Sequence, residues 1–326
     1  MTPTTIVIQG ANTLGDVPGL SAAMQRSGGA IDVRLAPDGA ALAGALPGAD
    51  VMLGWNFAAK DLQNVWHRAD TLRWIHWCGA GVDAALFPGL VASEVTLTNA
   101  RGIFDQAMAE YTLSLILAFA KQLPQTLALQ QQRSWHQRFT ETIAGQQVLV
   151  VGVGSIGQRI GKMLQAAGMR VDGIGRRARA GGDSFAAIYG AEALNERLAL
   201  ADYVILITPL TEQTRHLFDA NRFAAMKPEA RFINLGRGAL VVENALINAL
   251  RDEAIAGAAL DVFDTEPLPY SSPFWHLPNV IVSPHMSGDF VGHANALADL
   301  FLANLKHYLT NQALVNIVDK QQGFVP

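Results

Sequence analysis

The chain has 326 residues, room for about two domains with a core in each, which excludes small disulfide-held modules and disordered tails. Only 16% of its residues are charged, against a usual figure of roughly 25%, half are hydrophobic, and the net charge of −4 offers nucleic acid no broad positive surface. The single cysteine, Cys78, excludes an internal disulfide and a multi-thiolate metal site, and reads first as a small core side chain in a reducing compartment.

Met1 to Thr5 is polar and runs straight into Ile6-Val7-Ile8, with no basic stretch and apolar signal segment. The longest apolar run, residues 108–120, falls short of the roughly 20 needed to span a membrane. A cytoplasmic protein with no membrane partner is expected.

Five short apolar runs, at residues 5–8, 31–35, 51–53, 72–77 and 95–98, alternate with small-residue helical stretches, the pattern of parallel strands linked by helices. From about residue 102 to 136 Ala109, Leu113, Leu117 and Ala120 recur three or four apart, and Pro124 breaks the helix. The apolar excess of this stretch suits a subunit interface. A second series follows, with strands expected at 148–151, 170–174, 203–207, 231–234, 256–260 and 280–282, six in the spacing of a dinucleotide-binding sheet. Residues 292–310 read as one more amphipathic helix, followed by an irregular tail.

The first strand of that second series runs into Gly152-Val153-Gly154-Ser155-Ile156-Gly157, a G-x-G-x-x-G loop opening a helix. Gly152 permits the tight turn, Gly154 lets backbone amides approach a pyrophosphate, and Gly157 lets helix and strand pack closely. A glycine-rich turn of any α/β protein is the plainer reading of such a loop, but the strand before it, the helix after it and the next strand favour the dinucleotide. That next strand ends at Gly175-Arg176-Arg177-Ala178-Arg179, where an NAD site usually carries an acidic residue for the ribose. With no carboxylate to repel a 2′-phosphate and with Arg176, Arg177 and Arg179 to bind it, NADP(H) should be preferred over a weaker NAD(H). A merely solvated basic loop is the competing reading.

Three further patterns each follow a strand: Asn234-Leu235-Gly236-Arg237-Gly238, then Asp261 to Pro267, then Ser283-Pro284-His285. Ligands of an open parallel sheet bind beyond the carboxyl ends of its strands, so these loops should converge. Arg237 can bind a substrate carboxylate and polarise the adjoining carbonyl. His285 can donate a proton to the oxygen as hydride reaches the carbon, with Glu266 stabilising the imidazolium. One cation, one carboxylate and one histidine suit reduction of a 2-oxo acid. No H-E-x-x-H or comparable metal-ligand spacing occurs.

Together with Gly79-Ala80-Gly81-Val82-Asp83, Thr98-Asn99-Ala100-Arg101-Gly102, Ala109 to Leu113 and Thr208-Pro209-Leu210-Thr211, these motifs make the chain resemble the D-isomer-specific 2-hydroxyacid dehydrogenase family over nearly its whole length, especially the glyoxylate/hydroxypyruvate reductase branch. The resemblance implies an α/β fold of two doubly wound parallel-sheet domains, a flavodoxin-like substrate domain (1–98 plus 288–326) and an inserted Rossmann cofactor domain (99–287), with a cleft between them. It implies that the amides of Ala80 and Gly81 hold the substrate carboxylate with Arg237, while Trp55 and Asn56 bound the substrate pocket with Phe57, Met286 and Phe290. On the cofactor side it implies pyrophosphate contacts from Ser155 and Ile156, a lining of Thr208, Pro209 and Thr214, a nicotinamide carboxamide oriented by Asp261 and the carbonyl of Leu235, and His285 and Gly288 beside the ring. The implied activity is NADPH-dependent reduction of small 2-oxo acids to (R)-2-hydroxy acids by a homodimer. Trp135 either reaches the partner subunit's site or anchors an interface.

Three departures from the family stand out: the missing acidic ribose ligand, Gly145-Gln146-Gln147 in place of a Gly-Lys pair, and Met286-Ser287-Gly288 after the histidine. A nucleotide-sensing, corepressor-like binding protein of the same fold is the alternative, opposed by the joint presence of Arg237, Glu266 and His285.

Overall fold

A computed structural model describes residues 2–326. The first series comprises β1 (Thr4–Gln9), α1 (Leu20–Arg26), β2 (Ile31–Ala36), α2 (Gly39–Ala45), β3 (Val51–Gly54), α3 (Asp61–Val65), β4 (Trp74–Trp77), α4 (Pro88–Val91) and β5 (Thr96–Asn99). Next come α5 (Asp105–Ala120), α6 (Leu123–Gln131), β6 (Gln147–Val151), α7 (Ser155–Ala166), β7 (Arg170–Ile174), β8 (Arg179–Ala180), β9 (Ala187–Tyr189), α8 (Leu194–Leu198), β10 (Tyr203–Leu206) and α9 (Ala220–Ala224). The chain ends with β11 (Arg231–Asn234), α10 (Glu243–Arg251), β12 (Gly257–Leu260), β13 (Val280–Val282) and α11 (His293–Leu309). It divides into two compact units, residues 1–103 with 290–326, and residues 104–289.

The first unit holds a five-stranded parallel sheet in the order β2-β1-β3-β4-β5, the doubly wound order of flavodoxin-like folds. Its strands bury Ile6, Val7, Ile8, Met52, Leu53 and Ile75 completely, which is why they read as continuous apolar runs. Helix α11 belongs to this unit and buries Leu297, Ala298, Phe301 and Leu305, spaced three or four apart on one stripe. The tail after it is pinned: Lys320 donates to the carbonyls of Leu90, Ser93 and Val95, and Arg101 to those of Val325 and Pro326.

His76 lies wholly buried in β4, its Nδ1 2.8 Å from Thr98 Oγ1 and its Nε2 without a partner among the described residues. Trp74 donates to the same hydroxyl and stacks on Phe301 and Tyr308. Burial pushes the His76 imidazole down from 6.5 to about 3. Between those values the unfolded chain binds a proton that the native state excludes, so the stability is complete above pH 6.5 and drains away as pH falls. Urea unfolding at pH 6.5 and at about 4.5 should show a loss of about 2 kcal/mol from this group, absent in His76→Leu. Equal losses in both proteins would refute the assignment.

The second unit holds an eight-stranded sheet in the order β13-β12-β11-β10-β6-β7-β9-β8, parallel except for the β8–β9 edge. Six strands were expected here, and the structure corrects that number. β9 has only three residues, Ala187-Ile188-Tyr189, too few for a periodic signal, yet it pairs with β7 and completes the order 3-2-1-4-5-6 of a dinucleotide-binding sheet. In the long apolar stretch, α5 spends Met108, Ala109, Leu115 and Ile116 on the core beneath this sheet, packed with Ile160 and Leu164 of α7. α6 exposes Leu123 and Leu127.

Among the described residues no helix is long and apolar enough to cross a membrane, and no group of three or more His, Cys, Asp or Glu could hold a metal ion. Cys78 is buried in the first unit, and burial pushes its thiol well above the ordinary value.

Candidate active site

The glycine loop of the second unit forms because neighbouring backbone leaves no room for side chains. Gly152 has φ 117°, and a β-carbon there would lie 2.7 Å from the backbone of Ile207 and Thr208. At Gly157 it would lie 1.9 Å from the carbonyl oxygen of Gly152. Gly154, in contrast, is exposed and faces open space, with nothing within 4 Å of the position a β-carbon would take. Ser155 and Ile156 open α7 directly after it, so the helix's first amides and its positive end face that opening. This cradle fits a dinucleotide pyrophosphate. Ser155 Oγ also donates to Asp105 at 3.3 Å, a contact from α5 that the motif did not reveal.

At the end of β7, Gly175 sits against Val153, whose Cγ2 would be 2.9 Å from a β-carbon at 175. Arg176, Arg177 and Arg179 are exposed, and Arg179 reaches back to the carbonyl of Val153 inside the glycine loop at 3.4 Å. Asp172 faces Gln147 Nε2 at 3.0 Å, away from the strand's end. Beyond β10, the Thr214 hydroxyl donates to Pro209 and accepts from Thr211 N–H, closing the turn that follows Thr208.

Arg237 follows β11 on a loop held by Asn234, whose side chain donates to the Arg237 carbonyl and accepts from Gly236 N–H. Gly238 is packed so tightly on the loop after β12 that a β-carbon would lie 1.9 Å from Phe263. That loop carries Glu266, and the turn after β13 carries His285. The two side chains meet at 2.6 Å, Nδ1 to Oε2, while the second Glu266 oxygen accepts from Phe263 N–H at 2.9 Å. Burial pushes the Glu266 carboxyl up, but the hydrogen bonds from His285 and Phe263 and the charges of His285 and Arg237 outweigh it and hold Glu266 below the usual carboxylate range. An ionised carboxylate only accepts, so the imidazole donates to it from Nδ1.

Asp261, at the end of β12, is 1% exposed and accepts from Ser283, Met286 and Ser287. Leu235 is buried, and Gly288 lies against Phe104. Arg237, Glu266 and His285 thus stand on adjacent loops at the carboxyl ends of β11, β12 and β13, the side of the sheet that also carries the glycine loop.

In the first unit the same end of the sheet carries the remaining residues expected at the site. The Ala80 carbonyl accepts from Asn99 Nδ2 at 2.7 Å and the Gly79 carbonyl from Ala100 N–H, which fixes the turn bearing the Ala80 and Gly81 amides. Trp55 is half-buried and Asn56 exposed after β3, with Asn56 seated over Gly10, where φ is 87°. The motifs that contain Asn99 and Asn234 do not by themselves disclose that these amides hold the site's turns. The available signal was a buried amide ending an apolar strand, which needs a carbonyl or N–H to satisfy.

Residues 113–287 match the D-isomer specific 2-hydroxyacid dehydrogenase, NAD binding domain. Among curated proteins, glyoxylate/hydroxypyruvate reductase A of Serratia proteamaculans is 33% identical over 85% of this chain and 88% of its own. Glyoxylate reductase of Thermococcus onnurineus is 32% identical over 70% of each chain. Among solved structures, the NADPH-dependent glyoxylate/hydroxypyruvate reductase of Sinorhizobium meliloti, in complex with NADP and sulfate, is 29% identical with a TM-score of 0.84, covering 98% of this chain and 100% of that one. A D-isomer specific 2-hydroxyacid dehydrogenase of Xanthobacter autotrophicus Py2, in complex with NADPH and MES, is 31% identical with a TM-score of 0.80 over the same shares.

Proposed function

Since the chain belongs to the D-isomer specific 2-hydroxyacid dehydrogenase family, we propose that it reduces small 2-oxo acids to (R)-2-hydroxy acids and takes its hydride preferentially from NADPH. The observation that carries this reading is the 2.6 Å contact between His285 and an ionised Glu266, one loop away from Arg237. Arg237 binds the substrate carboxylate through its planar fork and polarises the neighbouring carbonyl. His285, its Nδ1 held by Glu266, delivers a proton from Nε2 to the carbonyl oxygen. The nicotinamide, when bound, supplies the hydride. Residues Gly152 to Gly157, with Thr208, Pro209 and Thr214, hold the dinucleotide, and Ala80, Gly81, Trp55 and Asn56 belong to the substrate. The purified protein should oxidise NADPH with some of glyoxylate, hydroxypyruvate, pyruvate and longer 2-oxo acids. Tight NADPH binding with no turnover across that panel would favour the nucleotide-sensing alternative.

The cofactor preference rests on Gly175 and the arginines after it. A carboxylate at 175 would have to displace Val153, whereas Arg176 and Arg177 are exposed where a 2′-phosphate would be met. The kcat/KM ratio should favour NADPH over NADH by at least about tenfold and collapse towards unity in Arg176→Ala/Arg177→Ala. A wild type that prefers NADH would overturn the preference.

We also assign a homodimer. Residues 132–142 form an extended arm, tied down where Glu141 meets Arg231 and Lys121 and where Arg138 meets Gln122, yet presenting Trp135 and Phe139 fully exposed. Light scattering should give about twice 34.9 kDa for the wild type, and Trp135→Ser/Phe139→Ser should shift it towards the monomer. A monomeric wild type would refute the dimer.

A further inference from the structure

We propose that the tail after α11 is a brace that aims the amides of Ala80 and Gly81, with Asn99 and Asn316 as positioning residues that set the affinity for the 2-oxo acid. A trans peptide is planar, and its N–H and C=O point opposite ways. The Gly79 carbonyl shares a peptide with the Ala80 N–H, and the Ala80 carbonyl shares one with the Gly81 N–H. Two consecutive residues at the end of β5 hold both carbonyls: Ala100 N–H donates to Gly79 at 3.1 Å, and Asn99 Nδ2 donates to Ala80 at 2.7 Å. Fixing the carbonyls on residues 99 and 100 turns both N–H groups the other way. Each bond also polarises its peptide, so that the N–H becomes a stronger donor to an anion.

Asn99 and Ala100 need support of their own, because β5 is an edge strand with one side of its backbone unpaired by the sheet. The tail supplies that support. Val318 N–H donates to the carbonyl of Leu97 at 2.8 Å and Asn99 N–H to the carbonyl of Asn316 at 3.2 Å, with Ile317 bridged antiparallel to Thr98. Asn316 adds its side chain, whose Nδ2 donates to the carbonyl of Arg101 at 2.9 Å and to that of Asn99 at 3.3 Å. Its φ is 59°, the left-handed conformation that asparagine tolerates better than most residues. Both ends of the brace are tied. Asn304 of α11, fully buried, donates to the carbonyl of Val315 and accepts from its N–H, while Arg101 donates to the carbonyls of Val325 and Pro326. Val325 also packs against the core cluster that contains Val82 and Ala85, just beyond Gly81.

This inference rests on the reading of Ala80 and Gly81 as ligands of the substrate carboxylate, but the brace can be tested with and without turnover. Asn316→Gly keeps the left-handed backbone and removes only the amide. It should raise the KM for glyoxylate, hydroxypyruvate or pyruvate about tenfold, while kcat and the KM for NADPH stay within about twofold. Asn99→Ala leaves the Ala80 carbonyl without its donor and should raise the KM for the oxo acid further, by about 30- to 100-fold. In the cofactor-free protein the amide resonances of Ala80 and Gly81 should shift and broaden in Asn316→Gly, with the melting temperature controlling for fold. If Asn316→Gly keeps the wild-type KM for the oxo acid, or loses as much in the KM for NADPH, the brace is wrong. A folded Asn99→Ala protein with the wild-type KM for the oxo acid overturns it equally. If the wild type reduces none of the 2-oxo acids but the two resonances still depend on Asn316, the brace stands and the proposed activity falls.

Discussion

A His285→Ala protein is expected to reduce 2-oxo acids about 10²- to 10⁴-fold more slowly than the wild type while binding NADPH as before. The size follows from the loss of the only proton donor proposed at the carbonyl oxygen. The selectivity follows from the contacts: the His285 imidazole meets Glu266 at 2.6 Å, whereas the dinucleotide cradle is shaped by the backbone around Gly152 and Gly157. Glu266→Gln should fall less far, by about 10- to 100-fold, because it leaves the imidazole in place without an ionised partner. Stopped-flow turnover and fluorescence titration of NADPH on the same preparations separate the two effects. His285→Ala with full turnover, or with folded protein and lost cofactor affinity, would remove the histidine from the proposed role.

Gly152→Ala should be nearly as damaging by a different route. Its φ of 117° lies where alanine is strained, and the new methyl would sit 2.7 Å from the backbone of Ile207 and Thr208, which cannot give way as a flexible side chain can. A loss of about 2–4 kcal/mol in stability and at least a hundredfold in NADPH affinity is expected, read by urea unfolding and titration. Gly154→Ala provides the contrast, since its methyl would meet no protein atom within 4 Å. Its stability should stay within about 0.5 kcal/mol of wild type, while its NADPH affinity falls because the methyl fills the approach of the pyrophosphate. A Gly154→Ala protein that binds NADPH normally would place the phosphates elsewhere.

The features legible in the sequence are those whose cause is local. A glycine that must adopt positive φ, a fully buried strand and a proline that ends a helix each leave their mark within a few residues, and Gly152, β6 and the break before α6 were all readable. Features decided by distant partners were not. β9 is a strand because β7 offers an open edge, and nothing in Ala187-Ile188-Tyr189 announces it. The apolar residues of α5 declared that they would be buried but not against what, and Met108, Ala109, Leu115 and Ile116 meet α7. Asp261 stands out by its motif, but only the fold reveals that Ser283, Met286 and Ser287 converge on it.

The first unit is assembled from both ends of the chain, and this has a consequence for the order of folding. During synthesis, residues 104–289 emerge as a complete sheet with its helices before residue 290 exists. The five strands made first must wait for α11 to bring Phe301 onto Trp74 and for Lys320 to reach the carbonyls of Leu90, Ser93 and Val95. The part of the protein born earliest is therefore the last to close, and its apolar strand faces are the surface most in need of protection on the ribosome.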